Sequence, residues 1–130
     1  MKIEIVSIRN ERYVEFFSAV GSGIAACKNT HVVVKEVYHS EFDIDPPIKL
    51  NQNAVLVSDQ RCFVRFVEDK NEIQGVVEAI DEERFGVIRL AIDCIIMIEI
   101  ASDEIKEGDY LLLTMSIDEF RVALLRKNLY

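Results

Sequence analysis

The residues able to do chemistry in this chain are few, and their spacing limits them further. Its two histidines are His31 and His39. Eight residues apart on an extended segment they lie ~26 Å from each other at ~3.3 Å per residue, too far to share one metal ion. The three cysteines, Cys27, Cys62 and Cys94, form no C-x-x-C and no Cys-plus-His motif in a useful context. They read as reduced thiols, not as a nucleophile, a zinc set or a disulfide framework. No G-x-S-x-G, H-E-x-x-H or P-loop pattern occurs. GSGIAA at 21–26 has the G-x-G-x-x-A form of a dinucleotide-binding turn, but that mechanism needs a strand before it and a helix after it. Here a helix-like segment precedes and the β-branched Val32-Val33-Val34 follows, so the glycines read as a helix end. Glu41, Asp43 and Asp45 alternate onto one face, as ligands of a hard cation such as Ca²⁺ would, or as a solvated strand end does. Asp93 and Glu99 alone among the carboxylates sit in an apolar run. Six apart on one face, they could line a small-ligand or enzyme site with His39, while pairing of Asp93 with Arg89 is the structural alternative. Arg61, Phe63 and Arg65 share a face in RCFVRFV, the form of a stacking platform for single-stranded nucleic acid, set among Asp59, Glu68, Asp69 and Glu72. No catalytic constellation results, and the expectation is a protein that is not an enzyme and holds no cofactor and no metal.

The elements that must position these residues are mostly strands. VIRLAIDCIIMIEI at 87–100 places Ile88, Leu90, Ile92, Cys94, Ile96, Ile98 and Ile100 on one parity, all apolar, which is the signature of a half-buried strand. Fourteen extended residues span ~46 Å at ~3.3 Å each, whereas a compact chain of this length is about 36 Å across. The run is therefore expected to bend near Ala91–Cys94. Upstream, residues 1–8 read as a strand. In residues 11–20, capped by Asn10, Tyr13, Phe16, Phe17 and Val20 recur at helical spacing. Residues 31–45 read as extended, ended by Pro46-Pro47. Residues 53–57 and 62–67 read as a hairpin, 73–80 as a strand with Gly75 as a bulge, and 110–115 with 120–125 as a last hairpin before a basic tail at 126–130. The expected fold is mainly β with one N-terminal helix (α+β). It is a single domain over 1–130, an antiparallel β-sandwich or partly open barrel with a long bent central strand at 87–100.

Charge gives the sharpest functional hint. The net charge is −8, and residues 51–109 carry fourteen acids against six bases while the two flanking segments nearly balance. Such a field disfavours nucleic acid phosphate and favours a basic protein partner. MKIEIVSIRNERY lacks an apolar h-region, and Arg89, Asp93 and Glu99 interrupt the one long apolar run, so the expectation is a cytoplasmic protein that does not enter a membrane. In type, the chain resembles the immunity proteins that neutralise bacterial toxic nucleases. The resemblance is carried by small size, acidity, strand-rich composition, the missing catalytic constellation and the acidic turns DEER at 81–84 and SDEIKEGD at 102–109, rather than by a motif. It implies a protein that occludes a basic partner, with Asp81, Glu82, Glu83, Asp103, Glu104, Glu107 and Asp109 steering and gripping a cationic active site. A structural or assembly subunit of a phage or secretion machine is the alternative that the same composition allows.

Overall fold

The computed structural model of the protein describes residues 1–127, and those residues form eleven β-strands and no helix. The first four are β1 (Lys2–Arg9), β2 (Tyr13–Ser18), β3 (Gly21–Cys27) and β4 (Val37–Ile44). β1, β2 and β3 form an antiparallel meander, and β4 returns by a long connection to pair with the other edge of β1. That spatial order, 4-1-2-3, is a Greek key. The last strand, β11 (Phe120–Lys127), lies antiparallel to β4 and parallel to β3, which closes the five strands into a barrel. Alternation fills it. Ile3 and Ile5, Val14 and Phe16, Ala25, Tyr38 and Phe42, and Val122 and Leu124 are buried from successive strands. Phe42 stacks on Phe120 at 4.9 Å between ring centroids, and Phe16 lies 5.2 Å from Phe42.

The other six strands are inserted between β4 and β11: β5 (Ala54–Val57), β6 (Phe63–Val67), β7 (Lys70–Ile80), β8 (Phe85–Ala91), β9 (Cys94–Glu99) and β10 (Tyr110–Met115). β7 organises them. One of its edges pairs first with β6 and then with β8, its other edge pairs with β10, and β10 in turn holds β5. The insert joins the barrel through the Gly21–Val64 bridge and through Asn71, whose side-chain amide exchanges two hydrogen bonds, 2.9 and 2.7 Å, with the backbone of Ile24. A Cβ on Gly21 would lie 2.0 Å from the Val64 carbonyl oxygen, and Gly21 has φ +125°, so this approach requires glycine. Buried side chains of barrel and insert form one continuous hydrophobic cluster.

Several sequence expectations are corrected. The fold is all-β, not α+β: residues 13–18 are β2, paired on both edges, where the expected N-terminal helix would have stood. The helical recurrence is accidental: Phe16 fills the barrel, Tyr13 is buried on the opposite face with its hydroxyl donating to Asp118 at 2.5 Å, and Phe17 is 57% exposed. GSGIAA is strand β3, neither a helix end nor a dinucleotide turn. The long bent strand at 87–100 does not exist. The chain reverses at Ile92-Asp93 into the β8–β9 hairpin, and Ile92, placed in the core by parity, is 97% exposed. The hairpins expected from 53–67 and from 110–125 are also absent: β5 pairs with β10, β6 with β7, and β11 with β3 and β4. Of the extended stretch 31–45 only Val37–Ile44 is a strand, and the irregularity of β7 falls between Val77 and Ala79, not at Gly75. In the expected basic tail, residues 128–130 lie outside the described residues.

Candidate functional site

Folding 87–100 into a hairpin decides where the acidic turns go. A straight strand would hold 81–84 and 102–109 at opposite ends. In the hairpin the two arms return to one end, where Phe85 pairs with Glu99 and the Ile100 N–H donates to the Arg84 carbonyl at 2.8 Å. Arg84 then ties the turns directly. It sits at φ +65°, and its guanidinium donates to the carbonyl of Ser102 at 2.6 Å and of Ile105 at 3.3 Å.

Within this pole the predicted acids divide into two sets. Asp81 builds its own turn, its Oδ1 accepting from the N–H groups of Glu83 and Phe85, each at 2.9 Å. Asp109 accepts from the Lys106 N–H at 2.7 Å, and Glu107 accepts from the Ile80 N–H at 3.1 Å, pinning the second turn to β7. Glu82, Glu83, Asp103 and Glu104 are exposed, and no ion pair among the described residues engages them. Glu99, which the sequence placed with a ligand site, belongs to this pole through its pairing with Phe85. The stretches 81–84 and 99–109 together hold eight carboxylates against two cations, Arg84 and Lys106. Beside them the outer face of β8 and β9 is apolar, with Phe85 and Ile95 each 47% and Met97 60% exposed. Sequence reasoning missed Arg84, although a lone arginine among three acids in DEER was the available signal.

Of the other candidate chemistries only His39 and Asp93 come together, on the walls of one groove, without Glu99. Asp93 lies in the hairpin turn and Glu99 at the far end of β9, roughly 20 Å away at ~3.3 Å per residue, and both are exposed. Arg89 does not pair with Asp93; it binds Glu78 at 2.5 Å and donates to the carbonyls of Ala91 and Ile92. Asp43 and Asp45 are both taken by Arg121, and no group of three potential metal ligands occurs among the described residues. On the putted-forward stacking face, Arg61 and Arg65 lie 5.8 and 4.8 Å from the centroid of Phe63, so the guanidinium groups already attend the ring a base would need. They are also neutralised. Arg65 binds Glu72 at 2.5 Å and Arg61 binds Asp59 at 2.7 Å, and the hydrogen bonds from Arg61 hold the Asp59 carboxyl down at about 2. The thiols sit in apolar settings, where burial raises Cys27 and Cys62 and pushes Cys94 up to about 11, the opposite of nucleophile activation. Among the described residues no helix is long and apolar enough to cross a membrane.

The chain matches no family model, no curated protein and no solved structure.

Proposed function

We propose that the protein is a small binding protein whose acidic pole occludes a basic protein partner, and that its role is that of an immunity protein neutralising a toxic nuclease. The observation that carries the reading is the convergence of two acidic turns on one end of the molecule, with Glu82, Glu83, Asp103 and Glu104 exposed and unengaged by ion pairs among the described residues. Carboxylates held by the fold but not neutralised by it keep their field for a partner. A nuclease active site, built to attract phosphate, presents the complementary sign. Such complementarity accelerates encounter and selects the partner. Tight binding further needs desolvated apolar anchors at the centre of the patch, and Phe85 and Met97 stand next to the acids.

The test is co-purification, from the native host, with the product of the adjacent gene, followed by kinetics. The expected result is a stoichiometric complex that blocks the partner's activity. Its association rate should fall by about tenfold or more between low salt and about 0.5 M salt, and in the variant E82Q/E83Q/D103N/E104Q at low salt. If the chain purifies alone, or its complex forms at the same rate in every salt and in the variant, the reading fails.

A further inference from the structure

The end of the β8–β9 hairpin remote from the acidic pole adjoins a basic surface. In register across three barrel strands, Lys2 of β1 lies opposite His39 of β4, and His39 lies opposite Arg126 of β11. Residues directly opposite on antiparallel strands share a face, with Cβ atoms about 5 Å apart. The three basic side chains therefore form one row on the outside of the barrel. The register of β11 shifts between Leu124 and Arg126, and the extra residue, Leu125, is left 57% exposed beside the row. Irregularities of this kind re-aim side chains. Among the described residues no ion pair and no side-chain hydrogen bond engages Lys2, His39 or Arg126. Like charges side by side on a sheet repel, yet in a chain with 23 acids none is placed to neutralise this row.

The row borders a groove of about 560 Å³ between β4 and β9, whose walls include His39, Arg126, Phe42, Ile95, Met97 and Leu125. The Met1 nitrogen donates to the carbonyls of Ser40 at 3.1 Å and Asp93 at 3.2 Å, which joins the two walls. Ile95, Met97 and Leu125 are each roughly half exposed, so the groove offers apolar surface to solvent. Glu41 and Asp93 are the two acids on its walls, and neither reaches the row within ion-pair distance. We infer that this groove binds an amphipathic carboxylate, a single apolar chain with one anionic head. The head lies over His39 and Arg126, and the chain runs across Leu125, Ile95 and Met97. Cys94 to Met97 spans ~10 Å at ~3.3 Å per residue, room for a chain of about eight to ten carbons. The groove's volume is that of a small-ligand site, apolar with a few convergent polar groups. A carboxylate suits it better than a phosphate dianion, because Glu41 and Asp93 repel each added negative charge.

The probe is decanoate, below its micelle concentration, titrated into the full chain by calorimetry. One molecule should bind per chain. From hexanoate through octanoate to decanoate, each added methylene should tighten binding by about two- to fourfold as it is buried. Decan-1-ol, the same chain without the charge, should bind at least about tenfold more weakly, because it lacks the charge-assisted hydrogen bonds. Arg126→Gln, at an exposed position, should weaken decanoate by a similar factor and leave decan-1-ol unchanged. In the natural chain, which needs no variant to fold, the His39 ring and Met97 methyl resonances should both shift as decanoate is added. E82Q/E83Q/D103N/E104Q should keep decanoate affinity within about twofold, since exposed charges more than a Debye length away are screened. Equal affinity for decanoate and decan-1-ol, unchanged by Arg126→Gln, would reduce the groove to an apolar patch and overturn the proposal. Acetate or inorganic phosphate binding as tightly as decanoate would overturn it too, since neither has a chain to bury. Sedimentation with phosphatidylglycerol vesicles that decanoate does not compete would assign the row to a membrane surface instead. Loss of decanoate binding in the acidic-pole variant, or no binding in any arm, would likewise overturn the site.

Discussion

Arg84 and Asn71 show how single polar side chains set the arrangement that matters. Each replaces backbone pairing where two parts of the chain meet off-register: Asn71 between β3 and β7, Arg84 between the two acidic turns. Arg84→Ala leaves two carbonyls without their donor and releases 102–105 from 84. It should cost about 2–3 kcal/mol, the range for hydrogen bonds from a charged group, measured as a fall in the urea midpoint. It should also shift the amide resonances of Ser102 to Ile105. A loss within experimental error would mean that the turns hold together without it. Cys94 carries a prediction of opposite character. Burial, the largest cause, pushes its thiol up to about 11, against about 8.5 for an unfolded cysteine. The folded state therefore favours the neutral thiol. Its contribution is complete below the unfolded value and is lost as pH rises from there through about 11. At pH 8 Cys94 should resist iodoacetamide until the chain is unfolded; rapid labelling of the native protein at that position would contradict the burial described here.

The elements were legible in kind but not in connection, and the β8–β9 hairpin shows why. Its paired residues, such as Ile88 with Ile96 and Val87 with Met97, add to an even number, so one parity stays on one face along both arms. A period-two pattern cannot distinguish that hairpin from one long strand. A straight run of this length would overhang a compact chain, and the excess is resolved near Ala91–Cys94 by a reversal of the chain, not by the expected bend. The two descriptions differ at one residue. On a continuous strand Ile92 would be core; at a turn it is solvent. Ile92→Lys should change stability by less than about 0.5 kcal/mol, while Ile96→Ala, on the same parity but fully buried, should cost about 2–5 kcal/mol. Urea denaturation of the pair decides it, and a large loss in Ile92→Lys would restore the long strand. Other connections were hidden for a related reason. Short polar loops suggested local hairpins, yet β10 leaves the insert and β11 enters the barrel across the Ser116–Glu119 turn, so their partners are distant in sequence. The turn between β6 and β7 shows its type in its backbone: Glu68 and Asp69 both have positive φ, 51° and 64°. Such a two-residue turn prefers Asn-Gly. E68N/D69G should raise stability by about 0.5–2 kcal/mol, and a destabilised variant would show that these carboxylates do more than turn the chain.

At the scale of the molecule, the charge excess of residues 51–109 was plain in the sequence, but its location was not, because location depends on the hairpin and on Arg84. Once the turns converge, the free protein holds eight carboxylates against two cations in 81–84 and 99–109. Like charges at this density repel, and the cost is screened by salt. The variant E82Q/E83Q/D103N/E104Q should therefore melt higher than the natural chain at low ionic strength. For a domain of this size, about 1 kcal/mol of relieved repulsion raises Tm by roughly 3–6 °C. The gap should close as salt approaches about 1 M, where the Debye length is only ~3 Å. Acids dispersed over the surface would behave differently, because four neutralisations far apart relieve little mutual repulsion and give no salt-dependent gap. A melting series in increasing salt thus separates a built pole from general acidity without any partner in hand. A confirmed gap would also mean that the free protein stores unfavourable energy at this pole, which a cationic surface discharges on contact. Part of the driving force for association would then reside in the unbound protein, and affinity and free-state stability should move in opposite directions along any series that removes these four charges one at a time.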